Sequence, residues 1–512
     1  MTNRPQVVIP MSGKGSRFIQ AGYAELKPFI QVNGKPIIEH IISQYPEGYD
    51  FLAILSSDDP YLQVHIERLQ NISDKIQIAI IKPHKLGPGH AIREASELIS
   101  SNVPIIVSYC DFSGDWNPNA FLAKLEKFDC NILTYSGFHP HMNRTTKFAY
   151  AKMENDLVVE VREKESFTDT PMNEEASAGV YGFKNKEILA NAINQQIKEN
   201  LEVNGELYIS LTCQALIQNS GKVTVTRMKK FFQWGTPEDL EDWIYWNRFF
   251  QKFKAHRQNI STLENAQGSV LILAGGQGSR LSQMIFAPKP FLQVNGKSLW
   301  EHSLLCSQAT LVIREDLAQS VRNNRKVNVV EAPSFNGGQA ESALVGLNSI
   351  QFEGPVSIMA SDNIVLDVDV AKLHSNLDMG TVYVWVCKNY PAALHNPTQY
   401  SWISISKDGE FLDFHPKRKP DDEFNSMNLI GNFTFPNKGI AITLISELQR
   451  KGITINGEYY LDSILSIAKD LNLSVKVVET QEYFSIGTEA ELETFLYWDS
   501  EGIPREELQS HE

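Results

Sequence analysis

The chain lacks several features that mark well-known classes of protein. Its five cysteines form no CxxC pair, and no apolar run approaches the roughly 20 residues of a membrane helix. We therefore expect no zinc site, no disulfide framework and no membrane partner. The first residues also lack the basic, apolar and small-residue order of a secretory signal, so a cytoplasmic location is expected. The five cysteines, interpreted as reduced core thiols, are Cys110, Cys130, Cys213, Cys306 and Cys387.

Positive charge is also in short supply. The sequence has 47 Lys and Arg against 61 Asp and Glu, which gives a formal net charge of -14. Binding to a nucleic-acid backbone depends on massed Lys and Arg, so no nucleic-acid partner is expected. Any anionic ligand must instead be held by a few local cations. With 512 residues the chain exceeds what one core usually fills, so two domains are expected.

The sequence repeats itself in the same order in both halves. The segment VVIPMSGKGSRF at 7–18 reappears as LILAGGQGSRL at 271–281, and LKPFIQVNGKPIIEHII at 26–42 returns as PKPFLQVNGKSLWEHSL at 288–304. Lys289 follows Lys27 by 262 residues, whereas Gly457 follows Gly205 by 252, so the second copy has lost about ten residues, which we assign to a surface loop or peripheral helix. The polar segment 258–267 is a predicted linker between domains 1–257 and 268–512.

Short apolar runs alternate with helical patterns in each half. QVVIP, FLAILSS and PIIVSYC read as buried strands, and IIEHIISQY and AIREASELIS read as amphipathic helices. This alternation predicts two tandem α/β domains of Rossmann-like type, each with a mostly parallel central sheet and helices on both faces. Ligands of such sheets bind at the carboxyl ends of the strands, so the loops after QVVIP and PIIVSYC should meet.

Two motifs follow the first strand of each half. The glycine loop lets backbone N–H groups approach a phosphate, and its arginine offers a cationic fork, although a tight turn with a solvated arginine has the same pattern. A lysine in a proline-stiffened Lys-Pro segment comes soon after, and the combination occurs twice. The predicted NTP-binding residues of the loops are Ser12, Gly13, Lys14, Gly15, Ser16, Ala274, Gly275, Gly276, Gly278 and Ser279.

The combination GxGxR…KPF resembles the signature GGxGTRLxPxT…PKP of the sugar nucleotidyltransferases, with Ser16 and Ser279 where that family often has Thr. The resemblance covers both halves nearly end to end. It implies transfer of NMP from an NTP to a sugar phosphate, foremost a sugar 1-phosphate, with release of pyrophosphate. The product would be a nucleotide sugar for glycan or capsule-type biosynthesis. The residues that it marks as catalytic are Arg17, Lys27, Arg280 and Lys289, and it adds Gly87 and Gly338 to the NTP-binding set.

A carboxylate follows a buried strand in each half, at Asp111 and Asp362. Mg²⁺ binds through one or two carboxylates together with substrate phosphates, so both residues are predicted metal ligands, with the capping of a turn as the alternative. The family's second metal aspartate is missing, because Gln233 and Ser485 stand in its place. Three explanations stay open: one carboxylate suffices, a neighbour such as Asp115 or Asp239 substitutes, or one half is catalytically weak.

The resemblance also marks an acceptor site. A Glu-Lys pair ends a predicted strand at Glu163 and Lys164, whereas the second copy has Pro416 before Lys417. A solvated lysine at the end of a strand is the alternative for either position. The predicted acceptor-binding residues are Lys164, Gly179, Glu206, Lys417, Gly431 and Glu458.

Several alternatives stay open at this stage. The chain could be bifunctional, a cytidylyltransferase for phosphocholine or another phosphorylated small molecule, or an enzyme with one regulatory nucleotide-binding half. A glycosyltransferase is weaker, because it has no use for GxGxR and KPF, and a dehydrogenase is weaker still, because the loop lacks the third glycine of GxGxxG. The sequence decides neither the nucleobase nor whether the chain forms a homo-oligomer. The aromatic run Trp243, Tyr245, Trp246, Phe249 and Phe250 is interpreted as packing.

Overall fold

A computed structural model gives the fold, and it divides into two compact units, Met1–Ile244 and Tyr245–Glu512. The predicted linker 258–267 lies outside the described residues, except for the backbone of Gln258, and so does Cys306. The domain boundary therefore stays a prediction. In the part of the chain that is described, no helix is both long and apolar enough to cross a membrane. The structure describes residues 4–258, 268–305, 309–324, 326–332, 338–420, 425–455, 457–501, 503 and 507–509.

Unit 1 alternates strands with helices along the chain, as its apolar runs predict. Its strands are β1 Gln6–Pro10, β2 Gln31–Val32, β3 Lys35–Pro36, β4 Asp50–Ser56, β5 Ile76–Ile81, β6 Ile105–Ser108, β7 Phe112–Asp115, β8 Cys130–Tyr135, β9 Ala149–Glu154, β10 Leu157–Glu163, β11 Glu175–Phe183, β12 Val223–Arg227 and β13 Lys230–Gln233. Its helices are α1 Ser16–Gln20, α2 Ile37–Ile42, α3 Leu62–Ile72, α4 Pro88–Glu94, α5 Pro118–Lys124, α6 Lys186–Lys198, α7 Ile209–Gln218 and α8 Pro237–Gln258, which runs past the division between the units. Its 3₁₀ helices are Lys27–Phe29, Ser96–Leu98, Pro140–Asn143 and Pro171–Asn173.

The central sheet of unit 1 has nine strands. Its middle strands have the order β5-β4-β1-β6-β11. β11 also pairs with β8, which pairs with β12, and with β9, which pairs with β10. β1 pairs in parallel with both β4 and β6, while β11 runs antiparallel to β6. Because β1 and β6 are parallel neighbours, their carboxyl ends and the loops that follow them lie side by side, as the sequence predicts.

The period-2 alternation of the strands builds a core on each face of the sheet. In β1, Val7 and Ile9 belong to one apolar cluster, whereas Val8 belongs to the other, and all three side chains are buried. Alternate side chains of a strand point to opposite faces, so a strand covered on both sides must be apolar throughout. Helices on both faces therefore follow from the sequence of the strands.

Unit 2 repeats the alternation. Its strands are β14 Ser269–Ala274, β15 Gln293–Val294, β16 Lys297–Ser298, β17 Ala309–Arg314, β18 Asn328–Ala332, β19 Val356–Ala360, β20 Asn363–Val365, β21 Thr381–Cys387, β22 Trp402–Ile405, β23 Phe411–His415, β24 Ser426–Phe435, β25 Ser474–Thr480 and β26 Tyr483–Ser485. Its further helices are α9 Glu315–Ala318, α10 Gly338–Ser349, α11 Val370–His374, α12 Pro391–His395, α13 Lys438–Lys451, α14 Ile464–Asp470 and α15 Glu489–Trp498. Its 3₁₀ helices are Ser279–Leu281, Lys289–Phe291, Leu299–Ser303, Pro397–Gln399 and Leu461–Ser463.

The sheet of unit 2 has the same order, β18-β17-β14-β19-β24-β21-β25, with β22 and β23 beside β24. The prediction of α/β domains with mixed, mostly parallel sheets is confirmed in both units. One helix differs clearly between them: α3 has 11 residues, whereas α9, its counterpart between the matching strands, has four. A shortened peripheral helix is the kind of change that the spacing of the repeat predicts.

The aromatic residues of α8 are core residues, as interpreted. Within unit 2, Tyr245, Phe249 and Phe250 are almost fully buried, and the Tyr245 hydroxyl donates to the carbonyl oxygen of Tyr483 at 2.8 Å. The ring of Phe250 stacks on that of Trp498 with centroids 5.9 Å apart. These rings contact protein on their faces and edges, so they do not form an exposed stacking platform.

Candidate active site

The glycine loop of unit 1 follows β1 and turns directly into α1. Gly15 has φ +59, and a Cβ added there would lie 3.4 Å from the Cβ of Lys27. Gly278 repeats both features in unit 2, with φ +67 and a distance of 3.0 Å to Lys289. Each loop therefore lies against the Lys-Pro segment. A left-handed backbone at such close approach favours glycine.

The remaining loop residues surround that turn. Ser12, Gly13 and Lys14 precede Gly15, Ser16 begins α1, and the Lys14 ammonium pairs with Asp58 at 2.8 Å. In unit 2, Ala274 ends β14 and Ser279 begins a 3₁₀ helix. Added Cβ atoms at Gly13 and Gly276 would meet no atom of the described chain within 4 Å, whereas one at Gly275 would lie 3.1 Å from Ser342 Oγ.

The lysine of each Lys-Pro segment meets the aspartate predicted to bind metal. Lys27 Nζ lies 3.0 Å from Asp111 Oδ2, and Lys289 forms the same ion pair with Asp362. Burial lowers the pKa of Lys27, but the attraction of Asp111 and their hydrogen bond raise it by more, so the ammonium stays charged. The side chains of Lys27 and Asp111 remain 21% and 26% exposed, so both are accessible to a ligand.

A small strand pair brings Gln233 to the aspartate of unit 1. β13 runs antiparallel to β7 with Gln233 opposite Phe112, and the Trp234 N–H donates to the Asp111 carbonyl at 2.7 Å. A Cβ added at Gly235 would lie 2.6 Å from Gln233 Nε2 and 3.5 Å from Asp111 Oδ2. The amide and the carboxylate therefore flank one glycine.

Unit 2 builds the same arrangement with a hydroxyl. β26 pairs with β20, and a Cβ at Gly487 would lie 3.3 Å from Ser485 Oγ and 3.4 Å from Asp362 Oδ2. In each unit, glycine therefore leaves space between the metal-ligand candidate and the side chain in place of the family's second aspartate.

The two acidic residues considered as substitutes make other contacts in unit 1. Asp115 lies at the far end of the strand pair, opposite Lys230. Asp239 is buried, pairs with Arg144 and accepts a hydrogen bond from Thr236 Oγ1 at 2.9 Å. Asp239 is therefore already engaged by a cation and a hydroxyl.

Glu491 in unit 2 was not predicted from the sequence. It stands where unit 1 has Asp239, accepts from the Gly487 N–H at 3.0 Å and from the Tyr400 hydroxyl at 2.7 Å, and is only 4% exposed. Burial raises the pKa of its carboxyl, which the hydrogen bonds oppose and Asp362 reinforces. The spacing Thr488-x-x-Glu491 is a capping pattern and could have identified it.

Both predicted acceptor lysines have an unusual backbone. Lys164 has φ +63 and Lys417 has φ +52. Residues other than glycine and asparagine rarely adopt this left-handed region. Strained backbone of this kind concentrates at functional sites. Lys164 Nζ lies 2.8 Å from the Tyr208 hydroxyl and 4.6 Å from the centre of that ring, whereas Lys417 Nζ donates to the Gln399 carbonyl at 2.7 Å.

The other acceptor candidates of unit 1 lie beside tyrosine side chains. Gly179 has φ +81, and a Cβ there would lie 3.1 Å from the ring of Tyr109, a residue that the sequence did not single out. Glu206 is half-buried. Burial raises the pKa of the Tyr208 hydroxyl, and Glu206 raises it further. In unit 2, Gly431 also has positive φ, and Glu458 is exposed.

Gly87 and Gly338 pack against the segment that carries Glu206 or Glu458. A Cβ at Gly87 would lie 2.7 Å from Leu207 N, and one at Gly338 would lie 2.9 Å from the Tyr459 carbonyl oxygen. Each therefore joins the loop that holds this predicted NTP-binding glycine to the acceptor side of the site. Residues 333–337, which precede Gly338, lie outside the described part of the chain.

The two arginines are exposed and reach toward the acceptor side. Arg17 lies within electrostatic range of Lys27 and Tyr208, whose pKa values are both raised, and its charge opposes part of each rise. Arg280 is likewise within electrostatic range of Lys417 and Tyr460. Each unit therefore brings together a glycine loop, an arginine, two lysines and one accessible carboxylate.

Two family models match the chain, one in each half. Residues 6–247 match the family described as Nucleotidyl transferase, and residues 270–402 match the MobA-like NTP transferase domain. Bifunctional protein GlmU of Shouchella clausii is 28% identical over 209 residues, which are 40% of this chain and 42% of that protein. Bifunctional protein GlmU of Methanococcus maripaludis is 25% identical over 41% of this chain and 47% of its own length.

The chain thus spans less than half the length of these two relatives. Among solved structures, a nucleoside-diphosphate-sugar pyrophosphorylase from Vibrio cholerae is 21% identical, with a TM-score of 0.40, over 46% of this chain and 99% of its own. Both units carry the signature residues at the edge of the sheet, and family matches fall on both. The chain therefore carries two nucleotidyltransferase domains in tandem, one of each matched family.

Proposed function

We propose that the chain transfers NMP from an NTP to a phosphorylated sugar, foremost a sugar 1-phosphate, and releases pyrophosphate. The observation that carries the proposal is the pair of Lys27 and Asp111 at the edge of the sheet, with the glycine loop on one side and Lys164 on the other. Unit 2 repeats the pair with Lys289 and Asp362. We assign the same class of reaction to both units, with the acceptor of each left to the experiment.

In this reaction an oxygen of the acceptor phosphate attacks the α-phosphorus of the NTP. The bond from that phosphorus to the oxygen bridging to the β-phosphate breaks, and pyrophosphate leaves with the electron pair. Arg17 and Lys27 stabilise the negative charge that spreads over the phosphoryl oxygens in unit 1. Arg280 and Lys289 do so in unit 2. No protein nucleophile is needed, because positioning and charge stabilisation carry the step.

The donor atoms beside the lysines suit Mg²⁺. The described residues contain no group of three or more His, Cys, Asp or Glu side chains that could form an all-protein metal cage. Mg²⁺ does not need such a cage, because it keeps several waters and binds substrate phosphates. Asp111 with Gln233 would hold it in unit 1, and Asp362 with Ser485 in unit 2. Bound Mg²⁺ would supply charge neutralisation at the triphosphate.

The acceptor binds on the other side of the catalytic lysine in this proposal. Lys164 and Lys417 meet the acceptor phosphate, Glu206 and Glu458 accept hydrogen bonds from sugar hydroxyls, and glycine leaves room for the ring. The product is an activated nucleotide sugar for glycan or capsule-type biosynthesis. We propose that the reaction takes place in the cytoplasm, in line with the four buried free thiols of Cys110, Cys130, Cys213 and Cys387.

A screen of the full chain tests the proposal. Four NTPs are combined with a panel of sugar 1-phosphates and phosphocholine, with and without Mg²⁺, and pyrophosphate release is measured. We expect release with at least one pair, dependent on Mg²⁺, and phosphocholine as the preferred acceptor would favour the cytidylyltransferase alternative. The proposal is wrong if no pair releases pyrophosphate and calorimetry finds no binding of any NTP.

A further inference from the structure

A carboxylate lies next to the acceptor lysine of unit 1. Glu163 is the last residue of β10 and directly precedes Lys164. Its Oε2 accepts a hydrogen bond of 2.6 Å from Ser210 Oγ on α7. Burial raises the pKa of the Glu163 carboxyl, which this hydrogen bond and Lys164 oppose. Strand and helix thus share one polar contact, in which the strand supplies the carboxylate and the helix supplies the hydroxyl.

Unit 2 replaces both members of this contact. The repeated segments NGELY and NGEYY align Tyr208 with Tyr460, and two residues further on they align Ser210 with Asp462. Pro416 occupies the position of Glu163. Unit 2 therefore lacks the carboxylate at the end of the strand and has one at the helix position where unit 1 has a serine.

The side chains of unit 2 support this exchange. Asp462 and Lys417 interact electrostatically, and Lys417 Nζ lies 5.5 Å from the centre of the Tyr460 ring. Burial raises the pKa of the Asp462 carboxyl and lowers that of the Lys417 ammonium. The Ser401 hydroxyl and Lys417 oppose the rise in the pKa of Asp462. Asp462 Oδ1 and Ser401 Oγ are both buried, and neither forms a hydrogen bond of ordinary geometry among the described residues. Buried polar atoms of this kind cost free energy, so a donor group of a ligand is favoured at Asp462 Oδ1.

We propose that Asp462 is an acceptor-binding residue of unit 2 and takes over, from the helix side, the role that Glu163 has in unit 1. The inference rests on the proposed function, since it specifies the acceptor of that reaction. Lys417 and Arg280 bind the acceptor phosphate, and Asp462 Oδ1 accepts a hydrogen bond from a hydroxyl or ammonium group of the same molecule. The acceptor of unit 2 is therefore a phosphorylated molecule with such a donor group, approached from a different side than in unit 1.

The experiment moves the carboxylate back to the strand in the full chain. All variants carry Asp111→Asn, so that the pyrophosphate released comes from unit 2, and sugar 1-phosphates and phosphocholine serve as probes with the four NTPs. We expect Asp462→Ser to raise the acceptor KM about tenfold to a hundredfold and to leave the NTP KM within about twofold. Pro416→Glu combined with Asp462→Ser restores the Glu-Ser contact of unit 1 and should recover most of that loss. Asp470→Ser, on the surface of α14, is the matched control.

Each outcome decides the inference. An unchanged acceptor KM in Asp462→Ser, or a double variant no better than the single one, overturns it. If Asp462→Ser does not fold, Asp462→Ala removes the same oxygen and must show the same rise in KM. Release by the wild type but not by Asp111→Asn also overturns the inference and leaves the proposed function to unit 1. If the wild type shows no pyrophosphate release and no NTP binding, the proposed function itself is contradicted.

Discussion

The two units agree at the glycine loop and its Lys–Asp pair and differ at the acceptor side. On the nucleotide side, Gly15 and Gly278 both have positive φ against a lysine, and that lysine pairs with an aspartate in each unit. On the acceptor side, a serine and a glutamate in unit 1 become an aspartate and a proline in unit 2. A triphosphate is the same in every NTP, whereas acceptors vary, so a duplicated site is free to diverge only where its ligands differ.

The comparison also separates backbone from side chains. Lys164 and Lys417 have the same left-handed backbone, although their ammonium groups bind a tyrosine hydroxyl in one unit and a main-chain carbonyl in the other. The strand order fixes where the lysine lies, and its neighbours decide what it binds. Four predictions test how far this division holds.

The largest effect is expected from the catalytic lysines. Lys27→Met should lower turnover of the product of unit 1 by about 10²–10³-fold, and Lys289→Met should do so for unit 2, because each removes one cation from the developing charge. Arg17→Ala should act in the same direction as Lys27→Met. Pyrophosphate release is measured for every product of the wild type, with Lys35→Met, which has a surface ion pair with Glu39, as the control. Loss of one and the same product from both lysine variants would contradict separate activities.

Acidification should destabilise unit 1 through two buried histidines. Burial lowers the pKa of His139 to about 4 and that of His141 well below its ordinary value, while in the unfolded chain both titrate near 6.5. Their stabilising contribution is complete above pH 6.5 and is lost as pH falls toward 4, by about 1.4 kcal/mol per pH unit and group. Hydrogen exchange of peptides from each unit between pH 7 and pH 5 measures this. His141→Gln should flatten the dependence in unit 1, and an equal loss in unit 2 would show another cause.

Alanine should be tolerated less well at Gly179 than at Gly431. Both have positive φ, but an added Cβ lies 3.1 Å from the Tyr109 ring at Gly179, whereas at Gly431 the nearest described atom is 3.8 Å away. The backbone alone costs about 1–2 kcal/mol at either position, and the displacement of Tyr109 adds to the first. Urea unfolding measures both variants. Gly137→Ala, with φ +86 and open space, is the control in unit 1, and equal losses at Gly137 and Gly179 would exclude a contribution from Tyr109.

The smallest effect is expected from restoring the second aspartate. Gln233→Asp should lower the Mg²⁺ concentration for half-maximal turnover of unit 1 by about threefold to tenfold, since a carboxylate binds Mg²⁺ better than an amide does. Ser485→Asp should do the same in unit 2. Titration of turnover with Mg²⁺ measures both, with the exposed Gln63→Asp as control. An unchanged midpoint in both variants would show that one carboxylate is sufficient.

Local patterns predicted that the glycine loop, Lys27 and Asp111 would lie close together. The glycine loop, Lys27 and Asp111 follow strands whose apolar runs were evident, and parallel neighbours must bring their carboxyl ends together. These local patterns could not predict the order of the strands, because strand pairing depends on contacts between distant segments. Tyr109 and Asp462 were missed for the same reason, since each acts against a residue far away in the sequence. Glu491 was missed although its capping pattern with Thr488 is local.

The sequence by itself determined that the protein has two copies of one α/β nucleotidyltransferase domain, because periodicity and repeated motifs are properties of short segments. Tertiary structure decided which side chains share a site. It brought Gln233 beside Asp111 across Gly235, engaged Asp239 with Arg144, and set Asp462 near Lys417. Burial and charge act through space, so the role of a polar residue depends on neighbours that only the folded chain supplies.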